Sequence, residues 1–286
     1  MKRVVRAVFA AAAVAFGCGS AFGSVYRVTA DGAGSQDGGS WENAKSLASA
    51  WTVIQDGDEL WLKAETHALT ATLATDRQVT IRGGFAGTET SADERTGTDC
   101  TVFDGAKKYP AAATGAAGLL EFTAAAGKVT LDRIKVSQSY AGGVRATGGA
   151  SVELVDCVFD DNGWRTYGSS TANIQGRGLY LLGKATATAR FVRCRFSSNR
   201  IHSGVEAAHY DDSGCGAYVK TFAKLEMDDT VFVSNGVSRA SGAGRDASHG
   251  GALYVSGVPV VARNCDFRAN GNVSKADGDG GIVYLS

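Results

Sequence analysis

The segment "EAAHYDDSG" sets His209, Tyr210, Asp211 and Asp212 close together, and "GRDASHG" does the same for Arg245, Asp246 and His249. Carboxylates gathered in this way hold a divalent cation such as calcium, and a basic residue beside them takes a proton from a sugar. That is the chemistry of a polysaccharide lyase or a glycoside hydrolase, and it requires the two segments to lie side by side. Asp160 with Asp161 and Asp228 with Asp229 offer further carboxylate pairs. Asp also favours turns because its side chain bonds nearby backbone, so these pairs read equally well as solvated corners. Trp164, Tyr167 and Tyr210 could stack on sugar rings, with Arg165 and Arg177 adding polar contacts. No Gly-rich stretch ends in the Lys-Ser/Thr pair of a phosphate-binding loop, so a nucleotide site is not expected.

A repeat must position these residues. "CVFDDNG", "CRFSSNR", "TVFVSNG" and "CDFRANG" align on Cys157, Cys194, Thr230 and Cys265, which are 37, 36 and 35 residues apart. Phe159, Phe196, Phe232 and Phe267 follow two residues later, and Asn162, Asn199, Asn235 and Asn270 five residues later. A near-constant period in this range means stacked units rather than a closed globule. Upstream, apolar residues alternate at Val152 and Leu154, Ala189 and Phe191, Leu225 and Met227, Val260 and Ala262. This alternation slips phase by one residue before the Cys/Thr position, which predicts two short strands meeting at a corner. A third strand is expected after each Gly block, at "GGVRA", "GRGLYLL", "GCGAYVK", "GGALYVS" and "GGIVYLS".

Three short strands per repeat, each parallel to its counterpart in the next, predict an all-β chain: a right-handed parallel β-helix over residues 61–286. "KVTLDRIKV" fits the same template with Ile134 only 23 residues before Cys157, so the later coils carry extra residues between the Asn and the next Gly. Those extras are expected to leave one side of the solenoid as loops. Like residues then stack about 4.8 Å apart, as Phe on Phe and Asn on Asn, with Asn also suited to a left-handed corner. Tyr180, Tyr218, Tyr254 and Tyr284 recur after the Gly blocks and read as another ladder. Cys157, Cys194 and Cys265 are expected to form a buried ladder of small apolar groups, with a Cys157–Cys194 disulfide as the alternative.

Residues 1–23 combine a basic start, an apolar run and small residues at Ala21 and Gly23, the build of a secretory signal peptide. The chain is therefore expected to be exported, at the cell surface, associated with an outer membrane, or extracellular, with no transmembrane segment after signal removal. Residues 24–60 are expected to cap the solenoid, "WENAKSLASAW" forming a short helix with Ala44, Leu47, Ala48 and Trp51 on one face. At the other end no cap is evident, so further sequence or another chain is expected to cover it. The 286 residues carry 29 basic and 29 acidic side chains, which gives no concentrated basic surface for nucleic acid.

The block Gly250, Gly251, Ala252 with Phe267 and Asn270, and less closely Gly216, Ala217 with Phe232 and Asn235, resembles the repeats of the polymorphic outer membrane protein family. "DGGSWENA", "GDELWLKA" and "RGGFAGTETSADER" are similar to the start of large exported bacterial proteins of the pectin-lyase-like β-helix class. The resemblance implies a surface adhesin or a secreted binding protein for carbohydrate or cell-envelope components, with no cofactor. The same fold serves polysaccharide lyases and hydrolases, for which calcium would be expected, and a plain structural spacer is a third reading.

Overall fold

The computed structural model describes residues 23–109, 117–163, 166–167, 175–203, 213–239, 250–271 and 282–286. Three sheets of nine, seven and seven strands run along a common axis, here sheets I, II and III. Every strand pairing in them is parallel, and from Glu59–Lys63 onward successive strands of these sheets belong to different sheets. One coil, for example, gives Ser151–Val155 to sheet I, Val158–Asp160 to sheet II and Leu179–Leu182 to sheet III. The chain is thus a right-handed parallel β-helix. The repeat read from the sequence is the coil itself, since Phe159 lies beside Phe196, Phe196 beside Phe232 and Phe232 beside Phe267. The minimal coil pairs Val136 with Phe159, 23 residues on in sequence.

The phase slip between sheets I and II has a single-residue cause. Arg133, Asp156, Arg193, Asp229 and Asn264 all adopt positive φ, between 50° and 53°, and this one left-handed residue turns the chain and resets the alternation. At the next corner the left-handed residue is Gln138, Asp161, Ser198, Ser234 or Ala269, the residue before the Asn position. The Asn itself is not left-handed, which corrects the expectation that it also serves as the left-handed corner residue. Left-handed backbone in non-Gly residues costs about 1–2 kcal/mol each. The corner into sheet III is stricter: Gly176, Gly214 and Gly250 have φ near 60°, and a Cβ there would lie 2.2–2.4 Å from a backbone carbonyl oxygen.

Asn recurs because of its amide. Asn162 Nδ2 donates to Asn199 Oδ1, Asn199 Nδ2 to Asn235 Oδ1 and Asn235 Nδ2 to Asn270 Oδ1, each at 2.9 Å. Each Nδ2 also donates to a backbone carbonyl one coil back: Val136, Phe159, Phe196 and Phe232 in turn. Asn162, Asn199 and Asn235 are buried, so the ladder satisfies corner groups that water does not reach. Beside it the four Phe rings stack with centroids 4.6–4.9 Å apart and planes within 6°.

The Cys position is not simply apolar. Cys157 Sγ approaches the carbonyl oxygens of Val155 and Leu131 at 3.3 Å, and Cys194 Sγ those of Val192 and Leu154 at 3.5 and 3.4 Å. Thr230 Oγ1 donates to Asp228 O at 3.1 Å in the same place. The site thus accepts a short donor for corner carbonyls, so Thr230 can stand where Cys157, Cys194 and Cys265 stand in other coils, although Ile134 shows that a donor is not required. Cys157 and Cys194 are both free thiols. Burial, followed by the neighbouring Cys194, holds the Cys157 thiol well above its ordinary value.

At the N-terminal end, the strand Val25–Thr29 already pairs in register with Glu59–Lys63 in sheet I. Helix α1, Leu47–Val53, starts one residue after Ser46, whose side chain accepts from Ser49 N. That cap shifts the buried face to Leu47, Ala50 and, just beyond the helix, Ile54; Ala48 is exposed and Ala44 precedes the helix. Trp51 Nε1 donates to Ala74 O at 2.8 Å and ties α1 to sheet III. No helix among the described residues is long and apolar enough to cross a membrane.

Candidate functional site

Three chain insertions leave the same side of consecutive coils. They run from Asn162 to Gln175, from Asn199 to Ser213 and from Asn235 to Gly250, always between sheets II and III. Gln175 and Ser213 form a parallel bridge where the first two return. Their outgoing ends build a fourth parallel sheet from Thr166–Tyr167, Arg200–Ser203 and Gly236–Arg239. In it Thr166 lies beside His202 and Tyr167 beside Ser203, while Arg200, Ile201, His202 and Ser203 face Gly236, Val237, Ser238 and Arg239. The one-sided loops expected from the sequence therefore share a common, register-locked base.

His209, Asp211, Asp212, Arg245, Asp246 and His249 lie outside the described residues, as do Trp164, Arg165 and Tyr210. Tyr167 is described as a strand residue of the loop base. Arg177 is placed, and it does not face solvent: it is 1% exposed, and its Nη1 donates to Ala141 O at 2.5 Å. It packs against Gly163, where a Cβ would lie 2.0 Å from the Arg200 carbonyl oxygen and 2.9 Å from Arg177 Cδ. Arg177 thus anchors the loop corner from inside. Next to it, the crevice between Arg145, Gln175, Gly176 and Tyr180 measures about 10 Å³, room for one water.

The carboxylate pairs are dispersed. Asp160 and Asp161 sit at the second corner, where Asp160 meets Lys135 Nζ at 3.1 Å and Asp161 meets Lys107 Nζ at 3.4 Å. Asp228 and Asp229 sit at the first corner two coils away, Asp228 beside Arg263 at 3.2 Å and Asp229 bonded by Asn264. Nothing brings the two pairs into one site. Among the described residues no three His, Cys, Asp or Glu side chains are placed to share a metal ion.

One ionic network escaped notice in the sequence. On the outer face of sheet I, buried Asp132 accepts from Arg82 at 3.1 Å and Arg95 at 2.6 Å, while Arg82 also pairs with Glu59. The Arg82 guanidinium is partly desolvated, and the two carboxylates more than offset that, raising it above its ordinary value. Arg95 lies 5.1 Å from the centre of the Phe85 ring, which stacks on Trp61 at 4.9 Å. Glu89 pins the intervening loop by accepting from the N–H groups of Ala86, Gly87 and Thr88; its carboxyl is desolvated by burial, yet these bonds lower it below the usual range. Each charge here answers another, so the network fastens a loop and offers no free acid or base. Its residues are 23 to 50 apart in sequence, and only the strand register unites them.

Tyr180, Tyr218, Tyr254 and Tyr284 do stack as a ladder, centroids 4.7–5.1 Å apart, with Arg145 over the first ring at 4.6 Å. Tyr180, Tyr218 and Tyr254 are covered on both faces, so a sugar ring cannot stack on these three, which present their edges. Burial, then Tyr254 and Tyr180, push the Tyr218 hydroxyl up to about 12.

No family model matches the chain, and no curated protein matches its sequence. Among solved structures the chain is similar to the crystal structure of pectate lyase Pel9A, at 11% identity and a TM-score of 0.38 over 85% of this chain and 78% of that one. At that distance the likeness bears on no activity, and the architecture rests on the strand register described above.

Proposed function

We propose that this chain is an exported β-helical scaffold whose loop-bearing side binds a carbohydrate or another cell-envelope component without turning it over, in the manner of an adhesin. The observation that carries the reading is the common base of the loops. Three insertions start from adjacent rungs of one small parallel sheet, so they project side by side at the spacing of the coils. Such a base starts the segments from one side of the solenoid and leaves its core unaffected by their sequence. A repetitive polymer is the partner that such a surface fits, because equivalent loops would meet successive units.

The test is retention of the chain on a panel of immobilised acidic and neutral polysaccharides, comparing the wild type with a variant whose residues 204–212 are replaced by a short Gly/Ser linker. The account expects at least one polysaccharide to retain the wild type and to lose about tenfold in affinity for the variant, roughly 1.4 kcal/mol. Unchanged retention by the variant would move the binding surface away from the loops, and no retention at all would leave the chain a spacer.

A further inference from the structure

Sheet I runs further towards the N-terminal end than its neighbours. Val25–Thr29 adds a strand beyond Glu59–Lys63, while sheets II and III stop at Thr66–Ala68 and Leu73–Thr75 of that same coil. After Val25–Thr29 the chain turns back to pair Lys45–Ser46 with Val28 and Thr29, and helix α1 follows. That helix closes the sheet III side, where Trp51 bonds Ala74 and where Leu47 and Ala50 are buried. The place beside Thr66–Ala68 is left as an open groove of about 590 Å³, bounded by Ala30, Asp31, Leu47 and Ala48 on the cap and by residues 66–71 along the edge. Among the described residues, the coil that begins with Val25–Thr29 has no strand in sheet II, and the groove is that strand's place.

The exposed edge has its hydrogen-bonding groups aimed at that place. In the ladder to Thr101–Asp104, Val102 N donates to Glu65 O and Leu69 N donates to Asp104 O, both at 2.9 Å, with His67 opposite Phe103. Successive residues of a strand bond to opposite sides, so the N–H and C=O of Thr66 and Ala68 point into the groove. Both residues are exposed, and among the described residues nothing bonds these four groups. Natural sheet edges are shielded by charge, proline or a covering element. The last strands of sheets I and II at the C-terminal end follow that rule with Arg263, Asp266 and Arg268. The edge sequence "THALTATL", Thr66 to Leu73, holds no Lys, Arg, Asp, Glu or Pro. Leu47, Leu69 and Leu73 give the groove apolar walls. On its cap side Asp31 is exposed and makes no ion pair among the described residues, and no Lys or Arg lines the groove.

We propose that an extended segment of a partner protein docks in this groove as an added strand of sheet II, with apolar side chains on Leu47 and Leu69 and a basic residue against Asp31. The residue opposite His67 donates its N–H to Thr66 O and accepts from Ala68 N. Main-chain bonds then supply affinity, while the apolar wall and the single carboxylate select the sequence. A second copy of the chain would bring the same uncompensated Asp31 rather than a cation, so the groove fits a different protein. It lies at the opposite end of sheet II from Phe267 and does not depend on what the loops bind.

The probe is the labelled peptide RIKVSQ, which copies residues 133–138 and so carries a strand that already pairs in sheet II, with Ile134 and Val136 buried and two cations beside them. Its binding to the full chain is followed by fluorescence anisotropy, and the exchange of the Thr66 and Ala68 amides by NMR. One saturable site is expected, with both amides slowed. N-methylation of the peptide's valine should weaken binding about tenfold or more, and so should Ala68→Pro, which removes an edge donor where proline is tolerated. Replacing the two cations by Glu should weaken binding about threefold at low salt, and Asp31→Asn should erase that difference. The modified peptides are read on the unaltered chain, so the test holds even if Ala68→Pro fails to fold. No saturable site, equal affinity of the N-methyl or Glu peptide, or unchanged exchange at Ala68 would overturn the proposal. A dimer that protects the same amide without peptide would also overturn it, by giving the groove to a second copy.

Discussion

The coils from Val152 onward and the coils before Val129 solve the same geometric problem in different ways. In the later coils like stacks on like: Phe159, Phe196, Phe232 and Phe267 form one column and Asn162, Asn199, Asn235 and Asn270 another. In the earlier coils the same columns hold unlike residues, His67 under Phe103 in one, while the outer face is fastened by Arg82, Arg95, Asp132 and Glu59. A ladder is self-templating, since each coil presents the next with its own requirement. Unlike contacts specify one register each and position a particular loop or cap.

The comparison is broken most forcefully at the centre of the ladder. Phe196 is stacked on both sides and fully buried, so Phe196→Ala should cost about 3–5 kcal/mol in urea unfolding. Asn199→Ala should follow at about 2–4 kcal/mol, because it removes one of the two bonds that Asn162 Nδ2 donates and the bond that the Phe159 carbonyl accepts from Asn199, both in a buried column. If Asn199→Ala proved neutral, the amide column would be a by-product of the corner rather than its cause.

Acid sharpens the same contrast from the other end. Burial lowers His67 below 6.5, so the unfolded chain takes up this proton first, and stability should be full above about pH 6.5 and decline as pH falls below it. The slope for one proton is at most about 1.4 kcal/mol per pH unit. Glu153 is lowered by its bonds from Lys128 and, despite some burial, from Arg190; its contribution is present above 4.5 and is lost as pH falls further. His67→Phe should therefore flatten the upper part of the acid limb and leave the lower part unchanged. The smallest effect is expected at the surface: Arg193 makes two bonds to Asp156 at 2.7 and 2.8 Å, but it is 54% exposed, so Arg193→Ala should cost no more than about 1 kcal/mol and less in high salt.

This division also explains what could be read from the sequence. The columns wrote Phe, Asn, Tyr and Gly repeatedly at fixed offsets, so coil length, corners and loop side were legible before any coordinates. The reason for Asn was only half legible, because its amide bonds run between coils and the left-handed residue is its variable neighbour: Asp161, Ser198, Ser234 or Ala269. Of the expected helix face, Leu47 and Trp51 do pack on the core, while Ala48 is exposed and Ala44 precedes the helix, because Ser46 sets where the helix begins, a capping bond that apolar periodicity does not register. Arg177 reads as a loop contact in the sequence because nothing there tells that its guanidinium turns inward to the Ala141 carbonyl. His67 matched no repeat because its coil shares a position with the others and no residue type.

The central functional claim is that the loop side retains a polymer without cutting it. The direct measurement is to incubate the full chain, with and without calcium, with whichever polysaccharide retains it, and to analyse the polymer by mass spectrometry and by absorbance of unsaturated ends. The account predicts a polymer of unchanged length at saturating protein. New unsaturated or reducing ends that disappear in Asp211→Ala/Asp212→Ala would contradict it and make the loop side the active site of a lyase or hydrolase.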